Sequence, residues 1–141
     1  VGPVAKRKRR ALQTSSDCPC GSGQPYAACC QMVHDGSLKP TTAEQVMRAR
    51  YTAHVVGDTG YLRRSWHPDT RPDHLAMSDS SERWLGLDVL EIQHGAALDA
   101  EGFVEFKARF KMGTQLRALH ERSHFVRLGG QWVYYDGEIK F

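Results

Sequence analysis

Helical periodicity is the first pattern along the chain, and it lies between Thr41 and Gly57. Apolar residues recur there three and four positions apart, which predicts an amphipathic helix with one face turned towards a core. Thr41 and Glu44 match a capping box at the start of this helix. The helix should run to about Val56, because Gly57 can adopt the positive φ of a helix C-cap.

A second, short helix is predicted directly afterwards, with Asp58 or Thr59 as its N-cap. It should end before Pro68, because the residue that precedes a proline avoids the helical region. Two prolines and a serine-rich stretch follow. We therefore expect residues 69–87 to be irregular, with at most one short helix.

From Gly86 onwards the apolar period changes to two, which is the period of a β-strand. A hairpin turn is predicted at residues 99–102. The clearest half-buried strand alternates charged residues with the apolar Val104, Phe106, Ala108 and Phe110. Further strands are predicted over residues 115–128 and 131–136. Because the helices come first and the strands follow as a meander, the predicted fold class is α+β, with helices packed on one face of a curved antiparallel sheet.

The composition is that of one ordinary folded domain. The chain has 141 residues, of which 40% are hydrophobic and 25% are charged, so a single core is expected. No apolar run approaches the roughly 20 residues that a membrane span requires. No long apolar stretch follows the basic N-terminus, so a secretory signal is not predicted and we expect a cytoplasmic protein.

Positive charge is concentrated near the N-terminus. The net charge is +3, and five basic residues stand together there: Lys6, Arg7, Lys8, Arg9 and Arg10. The rest of the chain has the other 14 of the 19 basic residues and all 16 acidic residues, so its net charge is −2. We predict a solvated, disordered arm over residues 1–16. Contact with nucleic acid through its phosphates is the alternative role for this arm.

The most specific chemistry in the chain comes from four cysteines within thirteen residues: Cys18, Cys20, Cys29 and Cys30. Clustered thiolates are soft ligands that suit zinc, which accepts a tetrahedral set of four. Disulfides are less favoured, because a bridge between adjacent cysteines would be strained and a reducing compartment is expected. Redox chemistry is also less favoured, since no C-x-x-C motif is present.

The cysteine spacing departs from the common zinc pattern, because the first pair is C-x-C and the second pair is adjacent. Cys29 and Cys30 can share one ion only if the backbone turns sharply between them. Four thiolates on one divalent ion leave a charge of −2, which backbone N–H groups of the Gly-Ser-Gly turn at residues 21–23 could offset. The glycines allow the positive φ that a tight loop requires.

The run over residues 18–30 (CPCGSGQPYAACC) resembles the SEC-C motif, the zinc knuckle at the C-terminus of the preprotein translocase motor SecA. The resemblance implies one structural zinc ion held by Cys18, Cys20, Cys29 and Cys30. The last ligand of the motif is often histidine, and the cysteine found here is a variant that the motif also uses. The motif further implies a docking role towards another protein, with residues 17–38 as the knuckle.

The whole chain is similar to the YchJ family, in which a SEC-C knuckle precedes a domain like nuclear transport factor 2. Residues 17–137 carry this resemblance through five stretches: 43–53 (AEQVMRARYTA), 65–72 (SWHPDTRP), 104–106 (VEF), 119–125 (LHERSHF) and 131–137 (QWVYYDG). The resemblance implies a nuclear transport factor 2-like cone over residues 39–141. It implies no reaction, because the family has no established one.

A cone of helices on a curved sheet forms a natural pocket, for which four residues are candidates: Arg50, Tyr51, His67 and Glu121. Alternation along the third strand puts Glu121 on the opposite face from His120 and His124. If the Glu121 face is turned to the core, an ion pair between Arg50 and Glu121 could close the cone. The alternative is Glu121 as a general base with His67 nearby. His67 could instead complete the C-terminus of the short helix.

The sequence shows no nucleophile elbow, phosphate loop, paired catalytic carboxylates or second set of metal ligands, so no catalytic residue is predicted. The leading hypothesis is a non-catalytic, zinc-stabilised module that binds a protein partner through its knuckle. The alternatives are an enzyme or small-ligand binder that uses the cone, and a nucleic-acid-binding or ribosome-associated protein that uses the basic arm. On the leading hypothesis, metal removal should unfold residues 17–30 while the α+β domain stays folded.

Overall fold

A computed structural model describes residues 16–75 and 82–141. Within these ranges the helical part comes first, as one 3₁₀ turn and three α-helices: Tyr26–Ala28, α1 (Cys30–His34), α2 (Ala43–Val56) and α3 (Thr59–Arg64). Four strands follow: β1 (Glu82–His94), β2 (Glu101–Met112), β3 (Gln115–Leu128) and β4 (Gln131–Ile139). No helix in the described ranges has both the length and the apolar character that a bilayer crossing demands.

The strands form one antiparallel sheet in the order β1-β2-β3-β4, so each strand pairs with its neighbour in sequence. Irregularities interrupt the pairing at residues 84–86 and 89–91 of β1 and at residues 124–125 of β3. Such bulges bend a strand and increase its twist. The predicted α+β fold, with helices packed on one face of a curved antiparallel sheet, is confirmed.

α2 begins with the expected type of cap, but one residue later than predicted. Thr42 is the N-cap, and its hydroxyl accepts a hydrogen bond from the Gln45 N–H at 3.2 Å. The Gln45 side chain in turn accepts from the Thr42 N–H at 3.3 Å. Glutamine serves as the third helical residue of a capping box as well as glutamate does, so the predicted pairing of Thr41 with Glu44 is wrong. Gly57 ends α2 at φ 82°, as expected.

β1 and β4 are longer than predicted. β1 begins at Glu82, inside the segment expected to be irregular, because Glu82 pairs with Met112 at the far end of β2. β4 continues beyond residue 136 to Ile139, which pairs with Glu121 of β3. In both strands, pairing with a long neighbour outweighs a weak local signal.

The connection between β1 and β2 lies earlier than the predicted turn at residues 99–102. β2 already begins at Glu101, whose carbonyl accepts from the Gly95 N–H at 3.1 Å. Gly102 therefore belongs to the strand. A Cβ at Gly102 would lie only 2.4 Å from the Gly95 Cα, so this glycine marks a close backbone approach and not a turn.

Two hydrophobic clusters share α2. The first, here called the knuckle cluster, joins the cysteine segment to α2 and α3; its buried members are Cys18, Cys20, Tyr26, Cys30, Val33, Ala49, Ala53, Val56, Tyr61 and Leu62. The second, here called the cone cluster, joins α2 to the sheet; its buried members are Ala43, Val46, Met47, Tyr51, Leu87, Val104, Phe106, Ala108, Phe125 and Trp132. α2 is therefore the wall between the cysteine segment and the interior of the cone.

Candidate metal centre and ligand cavity

The four cysteine sulfurs converge, and each Sγ lies within 4.8 Å of every other. Cys18, Cys20 and Cys30 are buried, and Cys29 is half-buried. All four are free thiols. Within the described part of the chain, no other cluster of histidine, cysteine or acidic side chains has this spacing.

Two tight turns bring the sulfurs together. In the loop between the pairs, the Cys18 N–H donates to the Gln24 carbonyl at 2.8 Å, and Gly21 adopts φ 83°, which favours glycine. At the second pair the backbone turns sharply, as the sharing of one ion requires. Cys29, at φ −133° and ψ −113°, ends the 3₁₀ turn, and Cys30 begins α1.

The sulfur positions fit a tetrahedral metal ion. Zn–S bonds of about 2.3 Å imply sulfur–sulfur edges of about 3.8 Å in a regular tetrahedron. The Sγ atoms of Cys20 and Cys29 lie 3.7 Å apart, which is far beyond the roughly 2.05 Å of a disulfide. Four thiolates would fill all four positions of such an ion, so the donor set is that of a closed site.

The thiols compete for ionisation when they lie this close together. Hydrogen bonds with the thiols of Cys18 and Cys30 lower the pKa of Cys20. Hydrogen bonds with Cys18 and Cys20 raise the pKa of Cys30 far above its ordinary value. The pKa of Cys18 is also raised, first by its hydrogen bond with Cys20. Ionisation of Cys20 is thus favoured over that of Cys18 and Cys30, and a divalent cation among the sulfurs would remove this competition.

α2 supplies the contacts that surround the cysteine centre. The hydroxyl oxygen of Thr52, which is fully buried, lies 3.7 Å from the Cys18 sulfur. The Arg48 guanidinium donates to the Cys20 carbonyl. Arg48 therefore brings a positive charge towards a centre that would carry −2 with four thiolates on a divalent ion. Groups of this kind hold and tune the ligands of a metal site.

A buried histidine ties the cysteine segment to the same helix. His34 Nε2 donates to the Ala49 carbonyl at 2.8 Å, and Nδ1 accepts from the Tyr26 hydroxyl at 2.9 Å. Burial lowers the pKa of His34, which favours this neutral form. Tyr26, His34 and Ala49 thus connect the knuckle to α2 through paired polar groups within a shared core.

A cavity of about 470 Å³ lies on the other side of α2, between α2, α3 and the sheet. This volume is within the range of small-molecule sites. Much of its wall is apolar and includes Met47, Leu62, Trp84, Phe106, Leu119 and Phe125. Its polar groups include Arg50, Tyr51, His54, Glu121, Ser123 and Tyr134.

Arg50 is deeply enclosed in this cavity, with 9% of its surface exposed. Its Nη1 donates to the Leu62 carbonyl at 3.0 Å and to the Ser65 hydroxyl at 2.8 Å. Its guanidinium carbon lies 5.0 Å from the ring centroid of Trp66 and 4.5 Å from that of Tyr134. Burial lowers the pKa of Arg50 to about 10, so the side chain remains cationic at neutral pH.

Glu121 enters the cavity from β3. Its Oε2 accepts from the Tyr134 hydroxyl and from the Ser123 hydroxyl, each at 2.9 Å. Gly137 of β4 leaves room for this carboxylate, because a Cβ there would lie 1.9 Å from Oε2. The predicted direct ion pair with Arg50 is not formed. Tyr134 stands between the two charges, with its ring towards Arg50 and its hydroxyl bonded to Glu121.

Two family models match this arrangement of a cysteine knuckle and a cone. One describes the middle, nuclear transport factor 2-like domain of YchJ and matches residues 42–137. The other describes the SEC-C motif and matches residues 15–31. The chain belongs to the YchJ family. Its cysteine centre is the SEC-C part of a YchJ protein, and its cavity lies in the nuclear transport factor 2-like domain.

Curated relatives of this YchJ-family chain match it over most of their length. The UPF0225 protein SCO1677 of Streptomyces coelicolor is 47% identical over 122 residues, which cover 86% of this chain and 94% of the relative. The UPF0225 protein RSc0270 of Ralstonia nicotianae is 46% identical over 133 residues, covering 86% of this chain and 90% of the relative.

Two solved structures share the fold. The solution structure of RPA3114, a SEC-C motif containing protein from Rhodopseudomonas palustris, has a TM-score of 0.73 and 30% identity, and covers 89% of this chain and 100% of that protein. The crystal structure of a SEC-C motif containing protein from Psychrobacter arcticus has a TM-score of 0.69 and 28% identity, and covers 91% of this chain and 85% of that protein.

Three of the four predicted pocket residues line the cavity of this YchJ protein, and His67 does not. A short parallel bridge pairs Trp66 with Tyr134. Trp66 faces the cavity, so the next side chain along the extended backbone points away from it. The His67 ring packs on Tyr135 at 5.2 Å, and its Nδ1 accepts from the Asp69 N–H at 3.0 Å. The predicted pairing of Glu121 with His67 is therefore wrong.

The sequence prediction missed His54, Trp84 and Tyr134 as cavity residues. His54 follows Arg50 by four positions on α2, a helical spacing that could have identified it. Two effects lower the pKa of His54 to about 4: burial, which is the larger, and the positive charge of Arg50. The ring is therefore neutral at neutral pH. Trp84 and Tyr134 come from distant strands, and no local signal marks them.

On the face of the sheet away from the cavity, histidines of β3 form hydrogen bonds with carboxylates of β2. His120 Nε2 lies 2.6 Å from Glu105, and His124 Nε2 lies 2.7 Å from Glu101. Both histidines therefore lie on the face away from Glu121, as alternation predicted. The basic residues proposed to contact nucleic acid lie outside the described part of the chain: Lys6, Arg7, Lys8, Arg9 and Arg10.

Proposed function

We propose that the protein is a zinc-stabilised, non-catalytic binding module. The observation that carries this proposal is the convergence of four free sulfurs within 4.8 Å, three of them buried. Zinc suits them because it prefers thiolates in a closed tetrahedral set and undergoes no redox change. A reducing, cytoplasmic location would keep the thiols free for the metal.

Metal content tests the first part of this proposal. The purified protein should contain one zinc ion per chain by elemental analysis, and its cobalt-substituted form should absorb as a tetrahedral thiolate complex. Cys29→Ser should lower the affinity for the metal, whereas Ala28→Ser, at the exposed neighbouring position, should leave it unchanged. Protein without stoichiometric metal, with all four thiols freely alkylated in the native state, would contradict the proposal.

A protein partner would meet the knuckle at its exposed loop, residues 21–24, since the sulfurs behind it are largely buried. This docking role is supported by the SEC-C motif. A photo-cross-linking amino acid at Gln24 should give a discrete protein adduct in cells. The same probe at Leu116, which is 75% exposed near the start of β3, is the control. No adduct from position 24, or identical adducts from both positions, would contradict docking at the loop.

A second candidate function is the binding of a small molecule in the cavity. The cavity volume, the buried Arg50 and the half-buried Glu121 favour it. We propose binding, and the general base predicted as a pair of Glu121 with His67 is not retained, because His67 lies outside the cavity. Titration of small apolar molecules against the full chain, followed by tryptophan fluorescence, tests this candidate.

A further inference from the structure

The polar groups of the cavity retain hydrogen-bonding capacity that the described residues do not use. Arg50 donates only through Nη1, and no described residue accepts from its Nε or Nη2. From described residues Glu121 accepts two hydrogen bonds, both at Oε2, which leaves Oε1 open to them. The Trp84 Nε1 is buried and has no acceptor within residues 16–75 and 82–141. Arg50 and Glu121 both line the cavity, and a few polar groups in such a wall orient a bound molecule. The open edge of Arg50 and the open oxygen of Glu121 are therefore the positions where polar atoms of a ligand would bind.

The charges of Arg50 and Glu121 oppose each other across one side chain. Tyr134 presents its ring to the guanidinium and its hydroxyl to the carboxylate, so the two charges are separated by about one phenol group. An anion bound to Arg50 would meet the carboxylate nearby, and a cation bound to Glu121 would meet the guanidinium. Like charges in a poorly solvated site are costly. The pair therefore selects a ligand without net charge that both accepts and donates a hydrogen bond.

The remaining wall determines the body of the ligand. Met47, Trp84, Phe106 and Phe125 line the space with apolar surface, and the volume of about 470 Å³ admits a fused-ring aromatic body. Burial of such a body supplies binding free energy in proportion to its apolar area. The few polar groups then fix its orientation.

We propose that the cavity binds an uncharged, largely apolar molecule that carries an amide-type group, with a C=O beside an N–H. The carbonyl oxygen accepts from the Nε and Nη2 edge of Arg50, and the N–H donates to Oε1 of Glu121. The apolar body lies against the aromatic wall. This inference rests on the second candidate function, ligand binding in the cavity, and is independent of the zinc proposal.

Three probes of one shape test the charge selection: 2-naphthamide, 2-naphthoate and 2-naphthylmethylammonium. Each is titrated against the metal-loaded full chain by calorimetry at neutral pH. The amide should bind at least about tenfold more tightly than either charged probe, which is the scale of one charge-assisted hydrogen bond. Equal or tighter binding of a charged probe overturns the inference and leaves ligand binding intact. Binding of none of the three overturns the inference and counts against ligand binding.

Tryptophan indole N–H signals in the NMR spectrum locate the binding. Trp84 lines the cavity, and its N–H has no acceptor in the part of the chain that the structure describes. Trp132 lies outside the lining and donates to the Thr41 carbonyl at 3.0 Å. Addition of 2-naphthamide should shift the Trp84 signal and leave the Trp132 signal in place. A shift of Trp132 alone would place the probe elsewhere and overturn the inference.

A matched pair of variants tests the role of the carboxylate. Glu121→Gln removes the charge that repels 2-naphthoate, so the preference for the amide over the carboxylate should shrink by about tenfold. Glu105→Gln, on the other sheet face beside His120, should leave the order of the probes unchanged. An unchanged preference in folded Glu121→Gln protein overturns the inference. If this variant does not fold, the three probes on the unmodified chain decide the question.

Discussion

The two sides of α2 treat their buried polar groups in opposite ways. On the knuckle side, His34 makes two hydrogen bonds and Thr52 contacts a cysteine sulfur. On the cone side, the described residues leave one edge of the Arg50 guanidinium open and give the buried N–H of Trp84 no acceptor. Buried polar networks whose hydrogen bonds are all made hold a structure in one arrangement. Polar groups in a cavity that lack a hydrogen-bond partner can bind a ligand instead. This difference agrees with the two proposed functions, in which the knuckle side fixes the fold and the cone side binds a ligand.

The two sides also differ in what stabilises them. The knuckle contains only a 3₁₀ turn and the five-residue α1, and helices this short are not stable alone in water. On the proposed function, its order depends on a bound metal ion and on burial against α2. The cone has a four-stranded sheet with its own apolar interior. Because Ala49, Ala53 and Leu62 belong to the knuckle cluster, loss of the knuckle would expose part of the helical layer as well.

Metal removal is therefore expected to have the largest effect. Zinc sites in small domains contribute about 10–16 kcal/mol of apparent binding free energy, so strong chelation should lower the free energy of unfolding by more than about 5 kcal/mol. The described residues that report on this are Trp66, Trp84 and Trp132, all within the cone domain. Denaturant titration followed by their fluorescence should show one transition that moves to lower denaturant.

The shared core thus revises the sequence-based expectation that residues 17–30 unfold alone. A chelated protein whose tryptophan transition stays in place would show that the knuckle and the cone are independent units. Ala28→Ser, treated in the same way, controls for changes at the knuckle surface that leave the ligands intact.

The next largest effect is expected from truncation on the cone side. Phe125 is 1% exposed and packs in the cone cluster, so Phe125→Ala should cost about 4 kcal/mol through lost burial and a residual cavity. The variant should still bind one metal ion per chain, because Phe125 is not part of the knuckle cluster. Denaturant titration and elemental analysis measure the two quantities. Loss of metal under native conditions would show that the cone also supports the knuckle.

Some features of the two sides could be predicted from the sequence alone, and others could not. The cysteine cluster was predictable because all four cysteines lie within thirteen residues and their chemistry is local. The relation of Arg50 to Glu121 was not, because the intervening Tyr134 comes from a strand that no local pattern places between them. The direction of His67 depends on the long-range bridge between Trp66 and Tyr134. Periodicity thus predicts elements and faces, and long-range pairing determines which side chains meet.

A pH dependence should follow from His54 on the cone side. Its folded pKa of about 4 lies below its ordinary value of 6.5, through burial and the nearby Arg50. Between these values the unfolded chain binds a proton that the folded protein does not, so stability is full above pH 6.5 and falls as the pH drops towards 4. We expect a loss of about 2 kcal/mol between pH 7 and pH 4.5, measured by denaturant titration. The His54→Gln variant should not show this loss of stability between pH 7 and pH 4.5. An identical pH profile of stability for both proteins would contradict the role of His54.

The smallest effect is expected at the N-terminal cap of α2, the helix that both clusters share. Thr42→Ala removes the hydroxyl that accepts from Gln45 N, which should cost about 1 kcal/mol of unfolding free energy. Thr41→Ala is the matched control. The Thr41 hydroxyl only donates to the Gln45 side chain at 3.2 Å, and its backbone N–H keeps a contact with the same oxygen at 2.6 Å. Its loss should therefore cost less than about 0.5 kcal/mol. Urea titration of the two variants side by side shows which threonine is the N-cap. A larger loss of unfolding free energy for Thr41→Ala would support the cap predicted from the sequence.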